Sequence, residues 1–142
     1  MFDKNFEDRL VTWAAFRQEL ESHPEPFQAV IDYYNKAPLV SIYTDPWDKT
    51  TWPDPWQLVE ENKYCEFGIV LGMCYSLQLT ERFKESIFEI HIFVDREKSS
   101  LEYLLFIDDN YVLGYDRYNV VLKGDLPDTL QPQEKYTMPE IQ

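Results

Sequence analysis

Cys65-Glu66-Phe67-Gly68-Ile69-Val70-Leu71-Gly72-Met73-Cys74-Tyr75-Ser76-Leu77 is the stretch on which the fold turns. Phe67, Val70, Leu71, Cys74 and Leu77 recur at three and four residues, which predicts a helix from Cys65 to about Phe83. Ile69, Met73 and Tyr75 make its other faces apolar too, so this helix is expected to be buried nearly all round, at the centre of the molecule. Gly68 and Gly72 each cost about 1 kcal/mol relative to alanine inside a helix, and so predict a second backbone packed close on that side.

Upstream, Phe6, Leu10, Trp13, Phe16 and Leu20 give an amphipathic helix over roughly residues 5 to 21, ended by His23-Pro24-Glu25-Pro26. A second helix is expected over about 26 to 36, with Pro38 beyond its end, and the two read as a helical hairpin. Residues 39 to 43 suit a short strand or an extended lead. Two Asp-Pro-Trp triplets follow, Asp45-Pro46-Trp47 and Asp54-Pro55-Trp56. In the second, Asp54 is a good N-cap, Pro55 fits the first helical position and Gln57 stands where it can reach back, predicting a short helix over about 55 to 62.

Downstream the pattern changes to strand-like runs at 87 to 94, 101 to 107 and 111 to 115, the last two joined by Asp108-Asp109-Asn110, with a fourth at 118 to 122. Helices first and strands second predict an α+β domain over residues 1 to 123, in which the central helix lies on a small antiparallel sheet of three to four strands. From Gly124 to Gln142 the chain is polar and carries prolines, and reads as an extended tail.

The chain has 142 residues, enough for a real core, and a net charge of −13 from 13 basic and 26 acidic residues. That charge argues against an unassisted nucleic-acid or anionic-membrane binder, since each approach is repulsive. An acidic mimic of nucleic acid fits the sign, but the basic residues interspersed among the acids dilute the idea. Only four glycines are present, so no glycine-rich phosphate loop can be written and no nucleotide cofactor is expected. No apolar run is long enough to span a membrane, and Met1-Phe2-Asp3-Lys4-Asn5-Phe6 lacks a basic start and an apolar stretch, so a cytoplasmic protein is expected.

Cys65 and Cys74 are nine residues apart on one helix, or about 13.5 Å, beyond the reach of a disulfide. They fall on opposite sides of the helix, and no metal-ligand spacing joins them to His23 or His91, so no metal site is expected. Cys65 has the more telling position. At the helix N-terminus, free amides and the helix dipole lower a thiol pKa, as a cysteine nucleophile requires. In the run 87 to 94, Phe88, Ile90, Ile92 and Val94 share a face, which leaves His91 on the other with Glu89 and Phe93, pointing away from a helix that covers the apolar face. Trp47, Trp52 and Trp56 with Tyr43 read as a plug at the end of the core; the alternative is an aromatic binding platform for a sugar or a proline-rich peptide.

An aromatic, proline-rich loop (Trp52-Pro53-Asp54-Pro55-Trp56), a short helix, Cys65-Glu66-Phe67 opening an apolar helix, and then antiparallel strands resemble the transglutaminase-like, papain-related cysteine protein superfamily, particularly its small bacterial and bacteriophage members. The resemblance implies Cys65 as nucleophile, completed by a histidine on the second following strand and an aspartate on the third, with chemistry at amides. Here the second strand reads Leu101-Glu102-Tyr103-Leu104-Leu105 and the third Leu113-Gly114, so both of those positions lack the family residue. His91 and Asp116 are the remaining candidates to act with Cys65. The expected function is therefore a non-catalytic transglutaminase-like module that binds a protein partner or forms a homo-oligomer through its tail, with a bacteriophage virion or its assembly as a setting, in the virion or the host cytoplasm. The alternative is a cysteine-dependent amide hydrolase or transferase.

Overall fold

The computed structural model describes residues 1 to 141. Four helices, α1 (Phe6–Leu20), α2 (Pro26–Tyr34), α3 (Pro55–Glu61) and α4 (Glu66–Gln78), precede five strands, β1 (Phe88–Asp95), β2 (Ser100–Ile107), β3 (Tyr111–Leu113), β4 (Val121–Leu122) and β5 (Leu130–Thr137). The strands form one antiparallel sheet in the order β4-β3-β2-β1-β5. The architecture is α+β, with helix α4 packed on β1 and β2.

Helix α4 is buried along nearly its whole length, from Phe67 to Leu77 except half-exposed Ile69, because no face of it is polar enough to meet water. It ends at Gln78 and not near Phe83. The amides of Glu81 and Arg82 bond the Glu21 carboxylate at 2.8 and 2.9 Å, which takes them out of helical bonding. Helices α1 and α2 touch where Phe16 stacks on Tyr33 at 3.7 Å, but each packs separately on α4. A helix apolar all round offers each of them a surface of its own.

Ser76 is the point where these three helices lock. Its hydroxyl donates to the Gly72 carbonyl (2.8 Å) and accepts from Trp13 Nε1 of α1 and the Tyr34 hydroxyl of α2 (both 2.9 Å), which uses its one donor and both lone pairs. Gly72 makes room for that arrangement: a Cβ there would lie 2.4 Å from the Tyr34 ring. The close neighbour is thus a side chain and not a second backbone. At Gly68 a Cβ would meet nothing nearer than 3.8 Å, so close packing does not explain that glycine.

The short helix α3 starts with the expected capping box, Asp54 accepting from the Gln57 amide while the Gln57 side chain accepts from the Asp54 amide. Its last turn is tied down by buried Arg9, whose guanidinium donates to the carbonyls of Val59 (2.9 Å) and Glu60 (3.0 Å), a cation at a helix C-terminus. Residues 39 to 43 form no strand beyond a single parallel bridge between Leu39 and Tyr64.

The largest departure is at the C-terminus. Residues 124 to 142 were expected as a tail outside the domain, yet Leu130–Thr137 is the fifth strand, paired with β1 from Glu89↔Thr137 to Asp95↔Leu130. The chain stays docked beyond it, through Met138 N to Phe88 O (2.8 Å) and Gln78 Nε2 to Pro139 O (3.0 Å). A segment engaged in its own sheet is not a free arm for a neighbouring subunit, which removes the basis for tail-mediated assembly.

Candidate functional site

Cys65 caps α4 with extended backbone (φ −85°, ψ 176°) and is 5% exposed. Its side chain makes no capping hydrogen bond, but backbone amides crowd the sulfur from two directions: Phe67 and Gly68 from the first turn of α4, Tyr43 and Thr44 from the loop after α2. Burial pushes the thiol pKa up, and these four amides outweigh it and hold the thiol below its ordinary value. Cys74, in the middle of the same helix, has only burial acting on it and is pushed far up. Both thiols are free.

The structure does not bring Cys65, His91 and Asp116 together. His91 lies on the sheet face opposite α4, stacked on Phe106 at 4.0 Å and bonded to Glu89 at 3.3 Å. Burial lowers its pKa, with Glu89 opposing. This corrects its candidacy as a base for Cys65, and the reason is the period of two: Ile90 and Ile92 must face the core, so His91 cannot. His23 is occupied in the α1–α2 connection, where Nδ1 accepts from the Glu25 amide (2.9 Å). Asp116 fixes its own turn, its Oδ1 accepting from the amides of Tyr118 (2.8 Å) and Asn119 (3.1 Å), which lowers its pKa.

What stands near Cys65 instead is Tyr103, on β2. Phe67 packs edge-on against its ring at 5.4 Å, and burial together with the charges of Glu66 and Cys65 raises the phenol pKa. A phenol held in its protonated form is a poor proton acceptor. The position after Leu113 is closed as well: Gly114 has φ +98°, and a Cβ there would sit 2.8 Å from the Tyr103 carbonyl oxygen, so no aspartate fits without moving β2. Tyr103 is legible from alternation, since 103, 105 and 107 share the helix face, though no local motif marks it.

The aromatic residues divide. Trp52 is half-buried against Phe67 and Tyr136, both at 4.9 Å, and its Nε1 donates to the Asp45 carbonyl. Trp56 lies edge-on to Trp13 at 5.5 Å with half its surface exposed, while Trp47 and Tyr43 project from the long loop. Trp52 therefore packs into the core, while Trp47, Trp56 and Tyr43 stay about half exposed. The same loop exposes Leu39, Val40 and Ile42, the last at 89%.

A pocket of about 260 Å³ opens between α2, α4 and the β2–β3 side of the sheet. Its floor is apolar (Ile31, Tyr34, Ile69, Val70, Met73) and its rim carries Glu66, Glu102 and Asp116. Burial raises the Glu102 pKa, and the charge of Glu66 adds to it. Among the described residues, no cluster of three or more histidine, cysteine, aspartate or glutamate side chains suits a metal ion, and no helix is long and apolar enough to cross a membrane. No protein-family model and no curated protein matches the chain.

Proposed function

We propose that this protein is a non-catalytic transglutaminase-like module whose function is to bind another protein, with a bacteriophage virion or its assembly as the setting the resemblance implies. The observation that carries the reading is the separation of Cys65 from His91 by the sheet: the nucleophile position is filled, 5% exposed, and has a protonated phenol where the resemblance asks for an imidazole. The exposed apolar run of Leu39, Val40, Ile42, Tyr43 and Trp47 supports an interaction role and replaces the tail as the surface that would meet a partner.

The lowered Cys65 thiol favours a second reading, a cysteine amide hydrolase or transferase, because amides around a sulfur also stabilise an attacking thiolate. Assays of amide hydrolysis and of glutamine–amine exchange, run beside Cys65→Ala, separate the two. The module reading expects both proteins to match the background rate; turnover lost in Cys65→Ala overturns it.

A further inference from the structure

We propose that the pocket between α2, α4 and the β2–β3 side of the sheet receives a lysine or arginine side chain from a basic, partly apolar segment of a partner protein. The inference rests on the module reading and supplies the chemistry of the partner.

Three observations converge. The pocket, about 260 Å³, is many times the space one water needs and has room for a side chain. Its composition matches a long cationic side chain, whose alkyl stem covers apolar surface while the charged head stays polar. Here the stem would lie over Ile69, Val70 and Met73, and the head would meet Glu66 and Glu102. No ion pair holds these carboxylates: the pairs among the described residues are Lys84–Glu81, His91–Glu89, Lys123–Asp109 and Lys135–Glu89, none at this rim, and Glu102 accepts only a long bond from the Ser100 hydroxyl (3.3 Å). Arg117 also lines the pocket, but its guanidinium lies over the Tyr118 ring at 5.5 Å.

The surroundings select a protein segment as the occupant. Leu39 belongs both to the pocket wall and to the exposed run Leu39-Val40-Ser41-Ile42-Tyr43, so an apolar strip leads directly to the acidic rim. A segment alternating cationic and apolar side chains would cover both at once. The net charge of −13 draws such a segment in from a distance. An anionic membrane surface is repelled by the same field.

The test is fluorescence anisotropy with a labelled short peptide alternating lysine and leucine, beside a peptide in which glutamate replaces each lysine. Saturable binding of the lysine peptide alone is expected, weakened about tenfold in Glu66→Gln/Glu102→Gln. The control Glu19→Gln/Glu60→Gln removes the same charge from exposed sites elsewhere and should bind within about twofold of the parent. Glutamine preserves shape, and unchanged melting temperatures show that the variants are folded. Equal weakening in both pairs, binding that does not saturate, or equal binding of the glutamate peptide overturns the pocket assignment. Cleavage of the peptide during the titration, followed by mass, overturns the non-catalytic reading and leaves the pocket to be judged by the affinities.

Discussion

Leu104 and Leu105 are neighbours on β2, both wholly buried, and they belong to different cores. Leu105 faces α4 among Phe67, Leu71, Ile90, Ile107 and Leu113. Leu104 faces the other way, into a small cluster with Phe93, Phe106 and Val112 that Tyr115, Leu126 and Leu130 only partly cover. One face of the sheet is sealed by a helix, and the other is only partly covered, by the chain returning to form β5. The second arrangement leaves room for a half-buried polar group, and that is where His91 sits. The comparison teaches why Cys65 and His91 are apart: β1 gives one face wholly to packing, and His91 lies on the other.

The strongest way to break this comparison is to remove the covering segment. Truncation after Lys123 deletes β5, leaves β1 as an unpaired edge and uncovers the Phe93–Phe106 cluster. The fragment is expected to aggregate and to show no cooperative melting by circular dichroism; near-native melting would mean that β5 is an appendage after all.

A finer contrast comes from the two leucines. Leu105→Ala should cost about 4 kcal/mol in urea unfolding, and Leu104→Ala about 2 to 3, because a small, partly covered cluster collapses around a cavity more readily. Equal costs would make the two faces one core. On the helix side, Gly72→Ala drives a methyl into the Tyr34 ring, which its bond to Ser76 holds in place, and should cost about 2 kcal/mol. Gly68→Ala has the space for its methyl and should stabilise by up to about 1 kcal/mol.

The smallest effect belongs to the outer face. Burial lowers the His91 pKa below its ordinary 6.5, so the folded state favours the neutral ring. The contribution is fully present above about pH 6.5 and is lost as pH falls through the folded value. His91→Gln should flatten the pH dependence of melting in that window and leave the plateau above pH 7 parallel to the parent's. An unchanged slope would place the acid sensitivity elsewhere.

Periodicity made the helix side readable. The apolar residues of α4 fall on every face, and the strict alternation from Phe88 to Val94 places His91 opposite the helix. Strand β5 escaped the same reading for a physical reason. Leu130-Gln131-Pro132-Gln133-Glu134-Lys135-Tyr136-Thr137 is an edge strand with both its outer side and most of its surface in water, so it carries no apolar alternation. Its Pro132 and its charges are the marks of a protected edge, and they resemble those of a tail. At the site, the position of Cys65 on α4 was legible from its local sequence. The amides of Tyr43 and Thr44 beside it come from a loop more than twenty residues away and leave no local signal.

The most direct test of the central claim is the alkylation rate of Cys65 against pH, in Cys74→Ala so that one thiol reports. The account predicts an enclosed thiol: alkylation at pH 6 to 7 at least about a hundredfold slower than in the unfolded chain, with denaturant restoring the rate. A fast reaction that plateaus near or below pH 6 in the native protein, and that slows in His91→Gln, would contradict it and make Cys65 an active nucleophile.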